Sequence, residues 1–407
     1  MPAEWEPHDA VWLGWKDANL SYHPVAIDII KALTPHVQVK IAASSDSLLQ
    51  VAKSILTKSG VDSTQLKFYT IPGDRYWIRD HGAAFLVNEQ GELGVADFNW
   101  NAYGVPGWLN EKYDNNPDSL YKHYTARVPT INQTGRVDSL MAIAENAKIR
   151  KAKVIHEGGA IEVNGKGTLI LCEATVFQRN PDLSKEQIEK EFKYALGVTN
   201  IIWMKRGLAD DPLHFMRRIA DNYVGGGTGG HTDEFVRFSN ATTVMLAWVP
   251  EAEKDLNPIN RMNYDRMKEN FDILSKSTDQ NGAPLNVIKV PLPDLITKKI
   301  TARKYDDAEI TYDVSPEDFK PSEAPHLGDS LLRVPAASYL NYLITNGVII
   351  LPSYIQAGSS AEKEEEVRTI FQTQFPGREL KFIDAMPINW NGGGIHCSTQ
   401  QQPKKRQ

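Results

Sequence analysis

Short, uninterrupted apolar runs recur along the whole chain and constrain its fold more than any other feature. Each run is rich in strand-favouring residues and is entered from a polar or glycine-containing turn. The best examples are residues 10–15, 83–87, 168–172, 243–248 and 348–351. A continuous apolar run that turns enclose is typical of a strand buried on both faces. The sequence therefore predicts about five buried strands.

Four further strand candidates stand before these runs or before the last cysteine; they are residues 66–71, 153–155, 201–204 and 380–383. Amphipathic helical stripes lie between them, such as Ile188, Phe192 and Leu196 at intervals of four. Strand pairs that alternate with single helices predict an α/β protein built as a ring of ββαβ units around a central site. A doubly wound sheet is the competing architecture, but the strand-to-helix turns lack a phosphate-binding glycine fingerprint.

Composition and charge exclude several classes of function. The net charge of −6 argues against a nucleic-acid partner, because such proteins usually present a basic surface. The longest apolar runs are far shorter than the roughly 20 residues that span a bilayer. The two cysteines, Cys172 and Cys397, form no disulfide framework and fit a reducing compartment. We expect a soluble cytoplasmic protein with no membrane partner, although a removed export signal would leave the same pattern. No linker divides the chain, so we expect a single catalytic domain over residues 1–407.

The strongest local signal for chemistry lies before Cys397. Gly392, Gly393 and Gly394 are costly in backbone entropy and pack no side chain, so they favour close approach of a ligand or unusual dihedral angles. A free cysteine can also be a small buried hydrophobe. The glycine-rich, polar neighbours on both sides favour a nucleophile at Cys397.

A nucleophilic thiolate needs a base and an orienting partner, which lie elsewhere in the sequence. His231 is the leading candidate, and its His-x-Asp spacing places Asp233 on the same face of an extended segment. Glu157 and Asp80 are carboxylates beside glycine-containing turns. Each of the four, taken singly, has an ordinary interpretation as a turn, cap or surface residue. All four follow a strand and precede a glycine turn or the next strand, so a ring of repeats brings them to one axis.

Several carboxylates around a thiol suit a guanidinium substrate. Guanidinium is planar, always charged, and matches carboxylates with a rigid fork of donors. We expect Asp80 and Asp233 to hold this fork with its carbon facing Cys397. His231 would protonate the departing ammonia and then activate water, while Glu157 would hold the imidazole in its protonated form. The carboxylates raise the thiol pKa, so activation would depend on the incoming cation.

These segments resemble the agmatine deiminase and Porphyromonas-type peptidylarginine deiminase family, within the pentein superfamily of guanidine-modifying enzymes. The resemblance covers nearly the whole chain, through residues 1–8, 76–80, 157–159, 230–233, 346–347 and 392–397. It implies a five-bladed α/β propeller, no cofactor, no metal, and conversion of a guanidinium to a ureido group with release of ammonia. The implied roles are nucleophile for Cys397, acid and base for His231, its partner for Glu157, guanidinium clamps for Asp80 and Asp233, and contact with the alkyl chain of the substrate for Trp77.

The segment before His231 departs from the family pattern. Agmatine deiminases resemble one another in an acidic run, Asp-Asp-Thr-Asp, whereas residues 226–229 are Gly-Gly-Thr-Gly and follow a longer segment, residues 208–225. The acidic side chains that would meet a second cation on the substrate are gone. Three upstream carboxylates would replace them if the segment folded back; they are Asp210, Asp211 and Asp221.

The substrate is therefore less constrained than the chemistry. The resemblance favours agmatine, converted to N-carbamoylputrescine, with peptidylarginine or free arginine, converted to citrulline, as the alternative. Arg217 and Arg218 lie in the same departing segment. They are interpreted either as a solvated helix face or as groups that recognise a substrate carboxylate.

Two rival classes of function stay open. A metallohydrolase would use Glu157, His231, Asp233 and His396 as ligands, although none of them shows a paired spacing such as His-Glu-x-x-His. A binding protein on a degenerate scaffold is the other rival. The presence of both Cys397 and His231 favours an enzyme.

Overall fold

The computed structural model describes residues 1–16, 22–73, 76–213, 216–304 and 313–405. The strands are β1 (His8–Gly14), β2 (Gln38–Ala43), β3 (Leu66–Thr70), β4 (Ala84–Val87), β5 (Leu93–Asn99), β6 (Lys148–Ile155), β7 (Glu162–Val163), β8 (Thr168–Cys172), β9 (Asn200–Met204), β10 (Arg217–Ala220), β11 (Tyr223–Gly225), β12 (Val236–Asn240), β13 (Thr243–Trp248), β14 (Asn286–Pro291), β15 (Lys298–Thr301), β16 (Ser330–Arg333), β17 (Leu343–Thr345), β18 (Val348–Ser353), β19 (Glu379–Asp384) and β20 (Thr399–Pro403). The α-helices are α1 (Tyr22–Leu33), α2 (Asp46–Lys58), α3 (Ile78–His81), α4 (Val105–Lys112), α5 (Pro117–Thr125), α6 (Val128–Thr134), α7 (Val137–Ala144), α8 (Glu173–Arg179), α9 (Lys185–Leu196), α10 (Thr232–Phe235), α11 (Pro258–Leu274), α12 (Ala361–Gln374) and α13 (Met386–Asn389).

Five sheets repeat one arrangement, in which an antiparallel pair is followed, across a helical connection, by a parallel strand. Their strand orders are β20-β1-β2-β3, β4-β5-β6, β7-β8-β9, β12-β13-β14 and β17-β18-β19. The α/β class and the repeated ββαβ unit that the sequence predicts are confirmed. In the first sheet, β20 is antiparallel to β1, so the last strand of the chain completes the first unit, as closure of a ring requires.

The later strand candidates pair with the apolar run before them. Residues 201–204 lie in β9, parallel to β8, and residues 380–383 lie in β19, parallel to β18. A helix makes each crossover, as parallel pairing requires. In the third unit, local sequence determines where the crossover helix begins and ends. Ser184 starts α9 with a capping box, and Gly197, in the left-handed region, ends it.

A sixth sheet, β10-β11-β16-β15, stands outside the repeat, and the sequence analysis did not predict it. Its strands come from two segments that are far apart in the chain, and its own small core includes Val224, Ile300, Phe319 and Leu331. Arg217 and Arg218 lie in β10, so their assignment to a helix face is wrong. His214 and Phe215, in the same departing segment, lie outside the described residues.

The apolar runs form the interior of the repeated sheets. Val11, Leu169, Leu246 and Ile350, one from each of four runs, are all buried. Within the described ranges, no helix is both long and apolar enough to cross a membrane. Because the strands themselves are apolar and buried, the polar turns that precede them carry the side chains that can take part in chemistry.

Candidate active site

Five equivalent turns supply the polar side chains of one buried site. Each turn lies just before the antiparallel strand at the edge of its sheet. The side chains so placed are Asp80 before β4, Glu157 before β7, His231 and Asp233 before β12, Asn341 before β17, and Cys397 before β20. Because these turns occupy the same phase of the repeat, one structural rule positions all of them. The structure thus brings together the four sequence-predicted residues and the thiol.

Gly159 marks the point where three of these side chains meet. A Cβ atom there would lie 2.7 Å from both Asp80 Oδ1 and His231 Nδ1, and 3.0 Å from Asp233 Oδ2. Any side chain would push these groups apart, so the position requires glycine. The carboxylates of Asp80 and Asp233 and the His231 ring therefore converge around a point that only backbone occupies.

The thiol of Cys397 is surrounded by polar groups. It donates to Asp233 Oδ2 at 3.4 Å and accepts from Asn341 Nδ2 at 3.1 Å, while Glu234 Oε1 lies 3.9 Å away. Burial raises the pKa of this thiol well above its usual value, and the Asp233, Glu234 and Asp80 carboxylates add to the effect. At neutral pH the sulfur is therefore a protonated thiol, and a cation beside it would favour the thiolate.

His231 lies between two carboxylates. Its Nδ1 is 3.5 Å from Asp80 Oδ1 and its Nε2 is 3.4 Å from Glu157 Oε2, distances of an ion pair rather than of a short hydrogen bond. Burial alone would lower the pKa of His231, but Asp80, Glu157 and Asp233 outweigh it and raise the pKa to about 9. The ring is therefore an imidazolium at neutral pH, ready to give up a proton.

The raised pKa of His231 makes stability depend on pH. Because the folded state holds the proton up to about pH 9 and the unfolded state only to about 6.5, the stabilisation is complete below pH 6.5 and disappears as pH rises through 9. We expect the difference in unfolding free energy between wild type and His231→Asn to shrink by about 3 kcal/mol across this window. Denaturant titrations at successive pH values measure it. A difference that stays constant from pH 6.5 to 9 would contradict the imidazolium assignment.

Glu157 is held ionised beneath the imidazole. Its Oε1 accepts from Arg179 Nε at 2.9 Å, and both side chains are fully buried. Burial alone would raise the pKa of Glu157, but Arg179 and His231 outweigh it and hold the pKa well below its usual range. Arg179 also donates to the Thr228 carbonyl at 2.7 Å, so it ties Glu157 to the segment that precedes His231. Glu157 is thus a fixed negative charge that orients the ring.

Asp80 lines the cavity with both oxygens engaged. Oδ1 accepts from the Gly159 amide at 3.1 Å, and Oδ2 accepts from the Tyr103 hydroxyl at 2.8 Å. Burial raises the pKa of Asp80 to about 6; Asp233 and Glu157 add to the rise, while His231 and the Tyr103 hydroxyl oppose it. A bound guanidinium would lower it again, since an opposite charge favours the carboxylate. Asp80 is therefore placed, and electrostatically prepared, to receive a cation.

The site opens into a cavity of about 540 Å³ that Cys397, Asp80 and Trp77 line. The indole of Trp77 lies against the glycine-rich loop, so closely that a Cβ at Gly393 would be 2.8 Å from the ring. This contact gives the glycines before Cys397 a physical reason. Trp77 thereby forms an apolar wall beside the thiol.

The outer wall of the cavity comes largely from outside the five units. It includes side chains from the loops around the sixth sheet and from the helices after β5; the charged ones are Lys112, Arg127, Asp313, Asp318 and Arg333. Both signs of charge are present. The sixth sheet and those helices, rather than the repeat, therefore determine what the far end of a substrate meets.

Asp211 folds back toward the glycine segment but does not line the cavity. Its carboxylate accepts from the Thr228 hydroxyl at 3.0 Å, from the Gly230 amide at 2.7 Å and from the His231 amide at 3.1 Å. Asp210 is likewise engaged, accepting from Asn263 at 3.1 Å. The predicted replacement of the missing acidic run is therefore wrong for these two residues. Asp211 fixes the loop that carries His231, and Asp210 is tied to Asn263 on α11.

Arg217 and Arg218 are engaged away from the cavity. Arg217 makes a two-pronged pair with Glu323, with both contacts at 2.8 Å, and Arg218 donates to the carbonyls of Glu323 and Asp221. The interpretation of these arginines as carboxylate-recognising groups finds no support in this geometry. They hold the sixth sheet together.

Sequence reasoning missed four groups that contact the site: Tyr103, Arg179, Glu234 and Asn341. Tyr103 stands in a run of left-handed residues, Ala102, Tyr103 and Gly104, a backbone conformation that is costly without glycine and often accompanies function. Asn341 occupies the fifth equivalent turn, so the repeat itself was a signal for it. Arg179 lies on α8, where nothing in the sequence distinguishes it from a solvated arginine.

The metal ligands of the rival enzyme class do not gather. Among the described residues, the grouping of potential metal-binding side chains is Asp233, Glu234 and Cys397, with their ligand atoms within 4.8 Å of one another. Glu157, His231 and His396 do not belong to it. The four-ligand arrangement of the rival class is therefore not formed among the described residues.

Residues 1–403 match the family model of Porphyromonas-type peptidyl-arginine deiminases. The agmatine deiminase of Pseudomonas aeruginosa strain LESB58 is 30% identical over 420 residues, a match that covers 100% of this chain and 96% of that protein. The agmatine deiminase of Stutzerimonas stutzeri is 29% identical over 413 residues, with 99% and 95% covered. The structure of the agmatine deiminase of Enterococcus faecalis has the same fold, with a TM-score of 0.74 at 24% identity and coverage of 100% and 96%.

Proposed function

The chain belongs to the Porphyromonas-type peptidyl-arginine deiminase family, and from that premise we propose that it is a cysteine-dependent deiminase that releases ammonia from a guanidinium group. The observation that carries the proposal is the convergence at Gly159 of Asp80, His231 and Asp233, with Asp233 in contact with the Cys397 thiol. Two carboxylates fit the fork of a guanidinium cation, and the sulfur lies beside one of them. The reaction needs no group beyond these side chains and water.

The reaction proceeds in two halves. In the first, the Cys397 thiol loses its proton to solvent as the guanidinium binds, and the thiolate attacks the guanidinium carbon. His231 gives its proton to one departing nitrogen, and ammonia leaves a thiouronium group on the sulfur. In the second, His231 takes a proton from water, which attacks the same carbon. The carbon–sulfur bond then breaks and leaves a ureido group. The hydroxyl proton of the intermediate passes to the departing sulfur, so the thiol and the imidazolium are regenerated. One water is consumed, and one ammonia and one proton are released.

The substrate itself activates the nucleophile. Without a cation beside them, burial and the neighbouring carboxylates hold Cys397 as a thiol, and burial raises the pKa of Asp80 to about 6. A guanidinium between Asp80 and Asp233 brings positive charge to both, which favours the thiolate and the ionised carboxylates together. The thiolate therefore forms only when a substrate is bound, which protects Cys397 from other electrophiles and from oxidation.

We propose agmatine as the substrate, on the strength of the relatives that bear this name. Asp313 and Asp318 in the outer wall of the cavity would accept the second cation of agmatine alongside their present partners, which are Arg303 for Asp313 and the Ser315 amide for Asp318. They would stand in place of the acidic run that the glycines replace. Trp77 would cover the alkyl chain between the two charged ends. The ureido product would then be N-carbamoylputrescine.

A second candidate is arginine that bears a free carboxylate, either as the amino acid or at a peptide C-terminus. Lys112, Arg127 and Arg333 line the same outer wall, and a carboxylate is the anion that they would bind. Arg333 donates to the Trp390 carbonyl at 2.7 Å, which places it beside the loop that carries the thiol. The product in this case would be citrulline.

Kinetics with four substrates separate these candidates. We expect kcat/KM for agmatine to exceed that for free arginine, a C-terminal peptide arginine and an internal peptide arginine by about 100-fold, or about 2.7 kcal/mol in transition-state binding. Ammonia release measures all four reactions. Asp318→Asn should reduce the kcat/KM preference for agmatine over the arginine substrates. Arg333→Gln should leave turnover of agmatine unchanged. A comparable preference for either peptide would overturn agmatine as substrate, without affecting the deiminase chemistry.

We also propose that residues 1–407 act as one catalytic domain in a reducing compartment such as the cytoplasm. The pairing of β20 with β1 supports a single unit, because the last strand of the chain completes the sheet that the first strands begin. Cys172 and Cys397 are both free and buried, which suits a compartment that keeps thiols reduced.

A further inference from the structure

His396, next to the nucleophile in sequence, turns its ring away from the cavity and lies between two carboxylates. Its Nδ1 is 2.8 Å from Asp233 Oδ2 and its Nε2 is 2.8 Å from Glu4 Oε1. The ring is buried. Each nitrogen–oxygen contact at this distance needs a proton between its two atoms. Glu4, His396 and Asp233 therefore hold two protons among them. Burial, Arg237 and Arg79 lower the pKa of the ring, whereas Glu4 and Asp233 oppose them, and the short contact at each nitrogen favours a ring that donates to both carboxylates.

Glu4 is built to hold the far end of this bridge. Besides His396, it accepts from Arg79 at 3.1 Å and from Gln401 at 3.0 Å, and it pairs with Arg237. Such a fully engaged carboxylate has little freedom to move. Glu4 belongs to the segment before β1, so its side chain connects the start of the chain to the active site.

The near end of the bridge determines how the Asp233 carboxylate is turned. Oδ2 is shared by His396, at 2.8 Å, and by the Cys397 thiol, at 3.4 Å. Oδ1 is buried and has no hydrogen-bond partner within the described part of the chain. A buried carboxylate oxygen without a partner is costly, and it is the atom that a guanidinium fork would use.

We propose that His396, anchored by Glu4, is a positioning residue that turns Asp233 Oδ1 toward the substrate and balances the charge of Oδ2 beside the thiol. The inference rests on the proposed deiminase function, because the substrate at Oδ1 is a guanidinium. His396 touches neither the cavity nor the reacting atoms of the substrate. It acts through Asp233, and Glu4 acts through His396.

The charges around His396 determine whether loss of its ring raises or lowers the pKa of the Cys397 thiol. Glu4, Asp233, Arg79 and Arg237 face His396, and Asp233, Glu234 and Asp80 face the thiol. Without the imidazole proton on Oδ2, Asp233 would present its full negative charge to the sulfur. The pKa of the thiol would rise, and less thiolate would form at every pH below it.

The test compares His396→Leu, which removes the donor, with His396→Asn, whose amide can still donate to Asp233. The first readout is the rate at which iodoacetamide alkylates Cys397 between about pH 6 and 9, followed by peptide mass spectrometry; it needs no substrate. We expect His396→Leu to alkylate about tenfold more slowly throughout, which corresponds to a rise of about one unit in the thiol pKa. We expect His396→Asn to alkylate within about threefold of wild type.

The second readout is ammonia release. We expect kcat/KM to fall at least about 100-fold in His396→Leu, through both KM and kcat, and less than about tenfold in His396→Asn. Glu145→Gln is the matched control, because Glu145 forms a buried pair with Lys40 at 2.5 Å outside the site. It should lose stability while keeping the wild-type alkylation rate and kcat/KM.

Equal losses in His396→Leu and His396→Asn, with an unchanged alkylation rate, would overturn the positioning role. If His396→Leu fails to fold, Glu4→Gln takes its place, since the amide keeps the shape but removes the charge that holds the second proton on the ring. It should also slow alkylation, and a wild-type rate would overturn the inference. If wild type releases no ammonia from any guanidino compound, the proposed function fails, and the alkylation rates alone still decide whether His396 controls the thiol.

Discussion

Replacing Cys397 by alanine is expected to abolish ammonia release from every guanidino substrate, with the fold intact. The sulfur is the only proposed nucleophile, and the carboxylates around it bind the substrate without forming a bond to it. Rapid quenching of wild type with substrate should trap a thiouronium adduct on the peptide that carries Cys397, and the alanine variant should show none by mass spectrometry. We expect this substitution to lower ammonia release more than any other, because the variant lacks the thiol that forms the covalent bond.

The second cysteine supplies the matched control. Cys172 ends β8, is fully buried and does not line the cavity, and burial raises its pKa to about 11. Cys172→Ala should leave kcat/KM within about threefold of wild type, and treatment with EDTA should leave it unchanged. Full activity in Cys397→Ala would rule out covalent catalysis by this thiol. Loss of activity in EDTA would instead revive the metallohydrolase class.

The sequence was sufficient for the repeated unit and for the convergence of its turns. Apolar runs such as residues 168–172 and 348–351 are typical of strands that are buried on both faces, and they form β8 and part of β18. Once five such strands repeat, residues at the same phase share one location. This is why Asp80, Glu157 and His231 could be grouped without knowledge of the contacts between units.

The sequence was not sufficient for groups that reach the site across units. Arg179 on α8 holds Glu157, and Tyr103 from the loop after β5 holds Asp80; neither lies at the repeated phase. Their roles depend on distances between elements that no local pattern records. The sequence suggests a role for His396 only as a ligand of the rival metallohydrolase class, whereas its ring lies between Asp233 and Glu4.

The glycine segment shows how a local change can be interpreted wrongly from sequence alone. Replacement of an acidic run by Gly226, Gly227 and Gly229 suggested a vacant space that nearby carboxylates would fill. Asp211 does return to the segment, but its oxygens are used by backbone amides, because a loop rich in glycine exposes donors that need acceptors. Because Asp211 does not line the cavity, the sixth sheet contributes to the outer wall instead. No periodic pattern in the sequence predicts this sheet.

Loss of either carboxylate clamp is expected to lower kcat/KM at least about 100-fold, equivalent to a few kcal/mol of transition-state binding. Asp80→Asn and Asp233→Asn keep the volume of the side chain and remove its charge, so the guanidinium loses a charged partner and the approach of its carbon to the sulfur is misaligned. Steady-state ammonia release measures both variants. Asp279→Asn is the control, because this buried carboxylate caps a distant turn through the amides of Asn281 and Ala283.

The two clamps should differ in a second respect, which tests their separate contacts. Asp80 lies 3.5 Å from His231 and is the largest of the charges that raise the pKa of that ring, so Asp80→Asn should shift the alkaline limb of kcat/KM to lower pH. Asp233 lies beside the thiol, and removal of its charge lowers the pKa of Cys397, so Asp233→Asn should alkylate faster with iodoacetamide while turning over more slowly. A nucleophile that becomes more reactive in a less active enzyme would show that Asp233 serves to hold the substrate. Wild-type kinetics in both variants, with the fold intact, would rule out the clamp.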